Sequence, residues 1–194
     1  MLFSYLGEDK FFEGIRVYLD KYQYSNATTS ELWQCLEQAS NKPVSEFMDL
    51  WTNVAGYPLL SVKRHNNNQL LIEQSRFYSN NDTKDKDTTT LWWIPLLLNQ
   101  TNSIEVLNEK QMILDIQLDQ FIKFNINSIG VYRVCYDEQC LLDLGKQIES
   151  GNSLTDSDKI GLLSDVYHTA ISGHSSITFY LNFIFKFKNE KNPL

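Results

Sequence analysis

The sequence has little cysteine, little histidine and no long apolar run, and each shortage removes a class of function. Three cysteines cannot all pair within one chain, and Cys135 and Cys140 have no second closely spaced pair to complete a metal site. Three free thiols in a reducing compartment is the reading this favours, and with it the cytoplasm. No apolar stretch reaches the roughly 18 residues of a membrane-spanning helix. "LWWIPLLL" is the strongest run, and Pro95 breaks it. Met1 to Lys10, "MLFSYLGEDK", lacks the basic start and apolar centre of a secretory signal. The net charge is −7 and no Lys/Arg cluster occurs, which argues against nucleic acid as a partner. Three N-x-Thr sequons, at Asn26, Asn81 and Asn99, are weak evidence for secretion in an Asn-rich chain.

What the sequence does have is apolar periodicity that changes along the chain. Apolar residues make up 42% of the 194, enough for a substantial core. Residues 8 to 22 place Phe11, Ile15, Tyr18, Leu19 and Tyr22 on one helical face. Thr28 and Glu31 have capping-box spacing ahead of Leu32, Trp33, Leu36 and Ala39. Pro43 opens a third helix with Val44, Phe47, Met48 and Trp51 inward. Gly56 and Pro58 then punctuate its end. From Leu59 the period shortens. "LLSVKRH" and "QLLIEQSRFY" flank the turn-prone Asn66 to Asn68, and "LWWIPLLL", "SIEVL", "MILDIQL", "FIKFNI" and "VYRVCY" follow as strands. That density of short strands predicts an antiparallel β-sandwich. Past Asp137 the helical period returns, with Leu141, Leu142, Leu144 and Ile148 in one helix. Thr155 caps the next, with Ile160, Leu163, Val166 and Tyr167 inward. In "SSITFYLNFIFKFKNEKNPL", alternation reads as strand, whereas Ile177, Tyr180, Leu181 and Ile184 have helical spacing. We expect a helix, joined to its predecessor by a short turn at Gly173 and leaving large aromatics, Phe183 and Phe187 among them, exposed. The class is α+β: a helical segment, a sandwich, then a helical segment.

Few residues stand in a catalytic pattern. His65 sits at a hairpin end, and His168 and His174 are six apart across a glycine, so no two imidazoles share a helical face; surface histidines are expected. Asp82, Asp85 and Asp87 suggest a calcium loop, but its sixth position is Asp87 and its twelfth Trp93, where Gly and Glu are required. No Gly-x-Ser-x-Gly elbow and no Gly-rich phosphate loop occur. Cys35 reads as core filler, and Glu46 and Asp49 as a solvated helix surface. Trp92 and Trp93 alternate faces, one toward the core and one toward a neighbouring domain or a carbohydrate-stacking surface.

Several segments in order resemble one family. "LGE" at 6 to 8, Phe12, Gly14, Tyr18-Leu19, Tyr24, Asn26-Ala27, Glu31-Leu32-Trp33, Trp51-Thr52 and Gly56-Tyr57-Pro58 are similar to the end of the catalytic domain of the gluzincin zinc aminopeptidases. "LWWIPL", with Trp93 and Pro95, resembles a strand of that family's β-sandwich. "GVYRVCYD", with Gly130, Tyr132, Arg133, Val134 and Tyr136, resembles its Gly-aromatic-Tyr-Arg-Val signature. "LTDSDKIGLLSDVYHTAISG", with Asp165, is similar to the start of its C-terminal helical domain, with Lys159 where the family usually has Arg.

The resemblance implies a multidomain layout. Residues 1–57 would be the last helices of a thermolysin-like catalytic domain, 58–137 the β-sandwich, and 138–194 the start of a helical-repeat domain. It also implies a zinc held by His-Glu-x-x-His and a distal Glu, and peptide substrates trimmed at the amino end. The elements of that site would precede residue 1, so no catalytic or metal residue is assigned here and no cofactor is expected on this chain. The chain looks like a fragment, a truncated gene product or an incomplete gene model. A membrane-anchored or secreted parent stays open. The rival readings are a sandwich that serves as an interaction or scaffold module, and an unrelated hydrolase with a scattered site.

Overall fold

A computed structural model describes residues 1–66, 68–80, 89–100, 104–116, 121–150 and 154–188. Asn67, the carboxylates Asp82, Asp85 and Asp87, the Asn81 sequon and the tail from 189 lie outside the described residues. The chain forms two compact units, Met1–Ala55 and Gly56–Leu194.

The first unit is helical: α1 (Leu2–Leu6), α2 (Glu8–Tyr22), α3 (Thr29–Ser40) and α4 (Val44–Thr52). Gly7, at φ 84°, breaks the chain between α1 and α2. Side chains rarely adopt that backbone region. The predicted capping box opens α3: the Thr28 N–H donates to Glu31 Oε2 at 2.6 Å. Pro43 stands one position earlier than expected, as the residue that caps α4. Leu6, Leu36 and Val44 form the core, with Leu2, Tyr5, Phe11, Ile15, Leu32, Trp33 and Met48 against them. Gly14 lets α2 lie close on α3, because a Cβ there would stand 2.9 Å from the Leu36 Cα. Tyr5 stacks on the buried Phe47 with ring centroids 4.9 Å apart, and the Lys42 ammonium lies 4.3 Å from the other aromatic centre, that of Tyr5. Leu19, expected inward, is 59% exposed. Trp51 lies beside Phe47, with centroids 6.2 Å apart, and is partly exposed rather than fully buried.

The second unit begins at Gly56, which takes the left-handed backbone expected of it (φ 89°). Its main sheet has the order β5-β2-β1-β6, from β1 (Pro58–Asn66), β2 (Gln69–Arg76), β5 (Gln111–Asp115) and β6 (Arg133–Tyr136). β3 (Ile94–Pro95) and β4 (Val106–Leu107) pair separately. The expected antiparallel pairing is present in β1–β2, β2–β5 and β3–β4. β6 runs parallel to β1, from Leu59 opposite Arg133 to Val62 opposite Tyr136. A parallel neighbour needs a crossover, and here the intervening sheet residues supply it. Leu60, Val62, Leu70 and Ile72 are buried, as alternation requires.

Two predicted strands are shorter than their apolar runs. In "LWWIPLLL" the ladder holds Ile94 and Pro95, while Trp92 and Leu96 to Leu98 are buried without being strand. Proline has no N–H to extend the ladder. "FIKFNI" contributes a single bridge, Leu98 to Phe124.

Helices α5 (Glu138–Ser150), α6 (Asp156–Ile171) and α7 (Ile177–Ile184) complete the unit, and a short 3-10 turn, Phe185–Phe187, continues α7. Thr155 caps α6 reciprocally with Asp158, as its spacing predicts. The buried face of α6 differs from the expected one. Asp158, Lys159, Leu162, Asp165, Val166, Thr169 and Ala170 are inside, whereas Ile160 and Tyr167 are exposed. α6 is apolar on two sides, so period alone does not choose between them. On α5, Leu142 likewise turns outward. The helix expected at 177 is present, and Gly173 makes the turn before it at φ 77°. Phe183, expected to be exposed, is 4% exposed, and Phe187 is partly buried. Their rings meet edge to face at 5.7 Å.

Candidate functional site

The residues singled out in "GVYRVCYD" and in α6 converge on one buried polar junction. Strand β6 presents Arg133 and the N–H of Val134 toward α6, where Asp165 receives both. Arg133 Nη1 donates to Asp165 Oδ1 at 3.2 Å, and the Val134 N–H donates to Asp165 Oδ2 at 3.1 Å. Arg133 Nε donates to the Tyr57 hydroxyl at 3.3 Å. The guanidinium also lies 5.4 Å from the Phe77 ring centre, and Phe77 stacks on Tyr57. Burial pushes the Asp165 carboxyl up to about 6, against the opposing pull of the Val134 N–H, Arg133 and Lys123.

A second ion pair lies beside the first. Lys123 is almost fully buried, with Nζ 3.6 Å from Asp158 Oδ1. It donates to the carbonyls of Phe124 and Asn125. Burial lowers the Lys123 pKa from its usual value. Asp158 also accepts from the Asn127 N–H at 2.7 Å. One carboxylate therefore joins the α6 cap, the 121–128 segment and the lysine.

Around these charges the backbone is fixed by side-chain amides and phenols. Asn125, in left-handed backbone, accepts from the Gly130 N–H at 2.6 Å and donates to the Gly130 and Tyr132 carbonyls. A Cβ at Gly130 would collide with the Tyr132 ring. The Tyr132 hydroxyl donates to the Pro95 carbonyl at 3.0 Å. The Tyr136 hydroxyl accepts from the Phe124 N–H at 2.9 Å. Burial raises the pKa of both phenols, so both stay protonated and keep these roles.

The junction thus gathers Tyr57, Pro95, Gly130, Tyr132, Arg133, Val134, Tyr136 and Asp165 from the expected residues. Pro58 begins β1 and is buried, Trp93 is partly buried, and Trp51 belongs to the first unit. Lys123 and Asn125 were not foreseen, and Asp158 was expected only in the capped first turn of α6. The available signal was a lone cation inside an apolar run, "FIKFNI", since an unpaired charge is not buried there.

Chemically this junction binds rather than reacts. Its carboxylates are held by Arg133, Lys123, Thr155 and backbone N–H groups, and its phenols by Arg133 and backbone. The thiols are no better as nucleophiles: burial pushes Cys140 up to about 12 and raises Cys135. The 2.7 Å approach of His168 Nδ1 to the Ser164 carbonyl requires a proton on that nitrogen. Among the described residues no three His, Cys, Asp or Glu side chains gather as a metal set, so the described residues do not fit a zinc ion. No described helix is long and apolar enough to cross a membrane.

Comparison with known proteins gives this junction a context. Residues 1–51 match the Peptidase family M1 domain, and residues 121–194 match the ERAP1-like C-terminal domain. The alanine/arginine aminopeptidase of Saccharomyces cerevisiae is 37% identical over 193 residues, covering 98% of this chain and 22% of that protein. The chain belongs to the M1 aminopeptidase family. Aminopeptidase 2, mitochondrial, of the same yeast is 33% identical over 99% of this chain and 20% of its own length. The tricorn protease-interacting factor F2 of Thermoplasma volcanium is 33% identical over 100% of this chain and 23% of its own. The chain therefore spans about a fifth of the length of the curated M1 relatives it matches. The first matched segment ends at Trp51. The second opens two residues before Lys123 and contains both ion pairs of the junction, while Tyr57, Phe77 and Pro95 lie before it.

Proposed function

We propose that this chain is a non-catalytic portion of a zinc-dependent aminopeptidase that removes N-terminal residues from peptides. The observation that carries the reading is the order of the matches: an M1 peptidase segment first, an ERAP1-like C-terminal segment last, and a single relative aligned through both. In this reading residues 1–57 end the catalytic domain, 58–137 form the sandwich and 138–194 begin the helical domain. Zinc and the peptide's amino end are held by other parts of the enzyme. The work of this segment is mechanical: the Arg133–Asp165 and Lys123–Asp158 pairs lock α6 onto the sheet. Three free cysteines, two of them buried, fit a reducing compartment such as the cytoplasm.

Sequencing the transcript across the codon for Met1 tests the proposal. A continuous frame that encodes His-Glu-x-x-His upstream is the expected result. A transcript that starts at that codon and yields a stable 194-residue product would favour a second reading, an interaction or scaffold module. The exposed apolar side of α6 and α7 is the observation that favours that alternative.

A further inference from the structure

A polar seam separate from the Arg133–Asp165 pair joins the loop at 125–130 to the first turn of α6. The Asn127 N–H donates to Asp158 Oδ1 at 2.7 Å, and the Ser128 hydroxyl donates to the Ser157 carbonyl at 3.0 Å. The Thr155 hydroxyl lies 2.9 Å from both Asn127 Oδ1 and Asp158 Oδ2. The loop seats directly on the helix at Gly161, where a Cβ would collide with Ser128 Oγ. It is held there in an unfavourable shape: Asn125, Asn127 and Ser128 all take left-handed backbone, at φ 55°, 55° and 54°. The helix is weak at the same place. Gly161 stands in α6 between this first turn and Asp165, and glycine is a poor helix former.

We propose that the 125–130 loop and the first turn of α6 form a two-state clasp, which opens and closes as one piece while the sheet and the rest of α6 stay folded. Buried charge makes the half-open forms costly. Lys123 is tied to the loop through the carbonyls of Phe124 and Asn125, and its side chain is 3% exposed. If the first turn of α6 unwinds alone, Lys123 loses Asp158 and stays buried. If the loop leaves alone, the buried Asp158 loses both Lys123 and the Asn127 N–H. Backbone strain acts in the same direction, because the three left-handed residues relax once the bonds across the seam break. Beyond Gly161, Asp165 is anchored separately by Arg133 and the Val134 N–H, so the opening stops there. All of these partners lie within this chain, and the clasp needs no other part of the enzyme.

Native-state hydrogen exchange of the 194-residue chain, followed by NMR, tests this. Two amides report on the two halves. The Gly130 N–H is bonded within the loop, to Asn125 Oδ1, and the Lys159 N–H within the helix, to the Thr155 carbonyl. The Val62 N–H, in the strand that lies between β2 and β6, reports unfolding of the whole unit. Gly130 and Lys159 should share one protection factor, at least about tenfold below that of Val62. Thr155→Val removes the cap hydroxyl from the helix side and should lower both by the same factor, about fivefold. Ser128→Ala removes a bond from the loop side and should also lower both equally. A fall at Lys159 alone in Thr155→Val, or at Gly130 alone in Ser128→Ala, overturns the clasp and makes the two elements independent. Protection equal to that of Val62 overturns it too, because loop and turn would then open only with the whole unit. So does an exchange pattern that neither substitution changes.

Discussion

The carboxamide of Gln74 is bonded to both backbone polar groups of Trp92. Its Oε1 accepts the Trp92 N–H at 2.8 Å, and its Nε2 donates to the Trp92 carbonyl at 2.9 Å. The second Nε2 proton reaches the Glu109 carbonyl at 2.8 Å. Gln74 is 1% exposed and Trp92 is fully buried. One side chain on β2 thus does what a strand partner would do for a segment that the proline at 95 keeps from forming a longer ladder. Gln74→Leu preserves volume but leaves a buried N–H and two carbonyls without this partner. It should cost about 2–4 kcal/mol, measured by urea unfolding. A loss under about 1 kcal/mol would mean that the segment is held by its apolar packing instead.

Asp165 sets a pH dependence whose sign is opposite to that of most carboxylates. Its pKa is raised from 3.8 to about 6 in the folded chain, so the folded state holds the proton more tightly than the unfolded one. The contribution to stability is complete below the unfolded value of 3.8 and is lost as pH rises through about 6. Asp165→Asn removes this titration while keeping an oxygen for the Val134 N–H. The stability difference, wild type minus variant, should therefore be more favourable to wild type at pH 4.5 than at pH 7. Urea midpoints for both proteins at several pH values test this. A difference that grows with pH would show that the ion pair with Arg133 outweighs burial.

Trp51 is partly exposed beside Phe47, which lowers what its removal can cost. Trp51→Ala should destabilise the first unit by about 1–2 kcal/mol, below the ~3–5 kcal/mol of a fully buried tryptophan. Thermal unfolding followed by near-UV circular dichroism would measure it. A loss in the fully buried range would mean that contacts beyond Phe47 dominate.

The isolated 194-residue chain should hold no stoichiometric zinc and should not hydrolyse aminoacyl arylamides. Both expectations follow from the histidines, which share no helical face, and from thiols held neutral by burial. Elemental analysis after dialysis checks the first. A chelator titration of any residual arylamidase activity checks the second. About one zinc per chain, or turnover abolished by chelator, would contradict the assignment of the zinc site to other parts of the enzyme.

The helix and strand order was legible because most elements bury one face, and period reports a single face well. α2 begins at Glu8 and ends at Tyr22, as the spacing of its aromatics predicts, and Thr28 and Thr155 cap as their local sequence requires. Legibility failed where a residue's environment comes from far along the chain. The buried face of α6 is chosen by Arg133 and Lys123, which claim Asp165 and Asp158; the outward Ile160 is as apolar as the inward Leu162. Phe183 turns inward because α5 lies under it, a contact that neither alternation nor helical spacing records. The motif residues Gly130 to Asp165 were identified by resemblance. The junction they form needed Lys123 and Asn125, which stand outside any pattern of period or spacing.

The parallel pairing of β1 with β6 has a consequence for how the second unit folds. Leu59 and Arg133 are ladder partners, yet roughly seventy residues separate them, and closing so long a loop carries an entropic cost before any contact repays it. The β1–β2 hairpin needs no such closure and is free to form early. β6 can join only when the whole intervening chain has found its place. α6, whose Asp165 is held by the first two residues of β6, then docks as the strand arrives. Strand and helix should therefore be gained together, as one late cooperative step, and a chain interrupted between β2 and β6 would keep the hairpin while losing the strand and the docked helix at once.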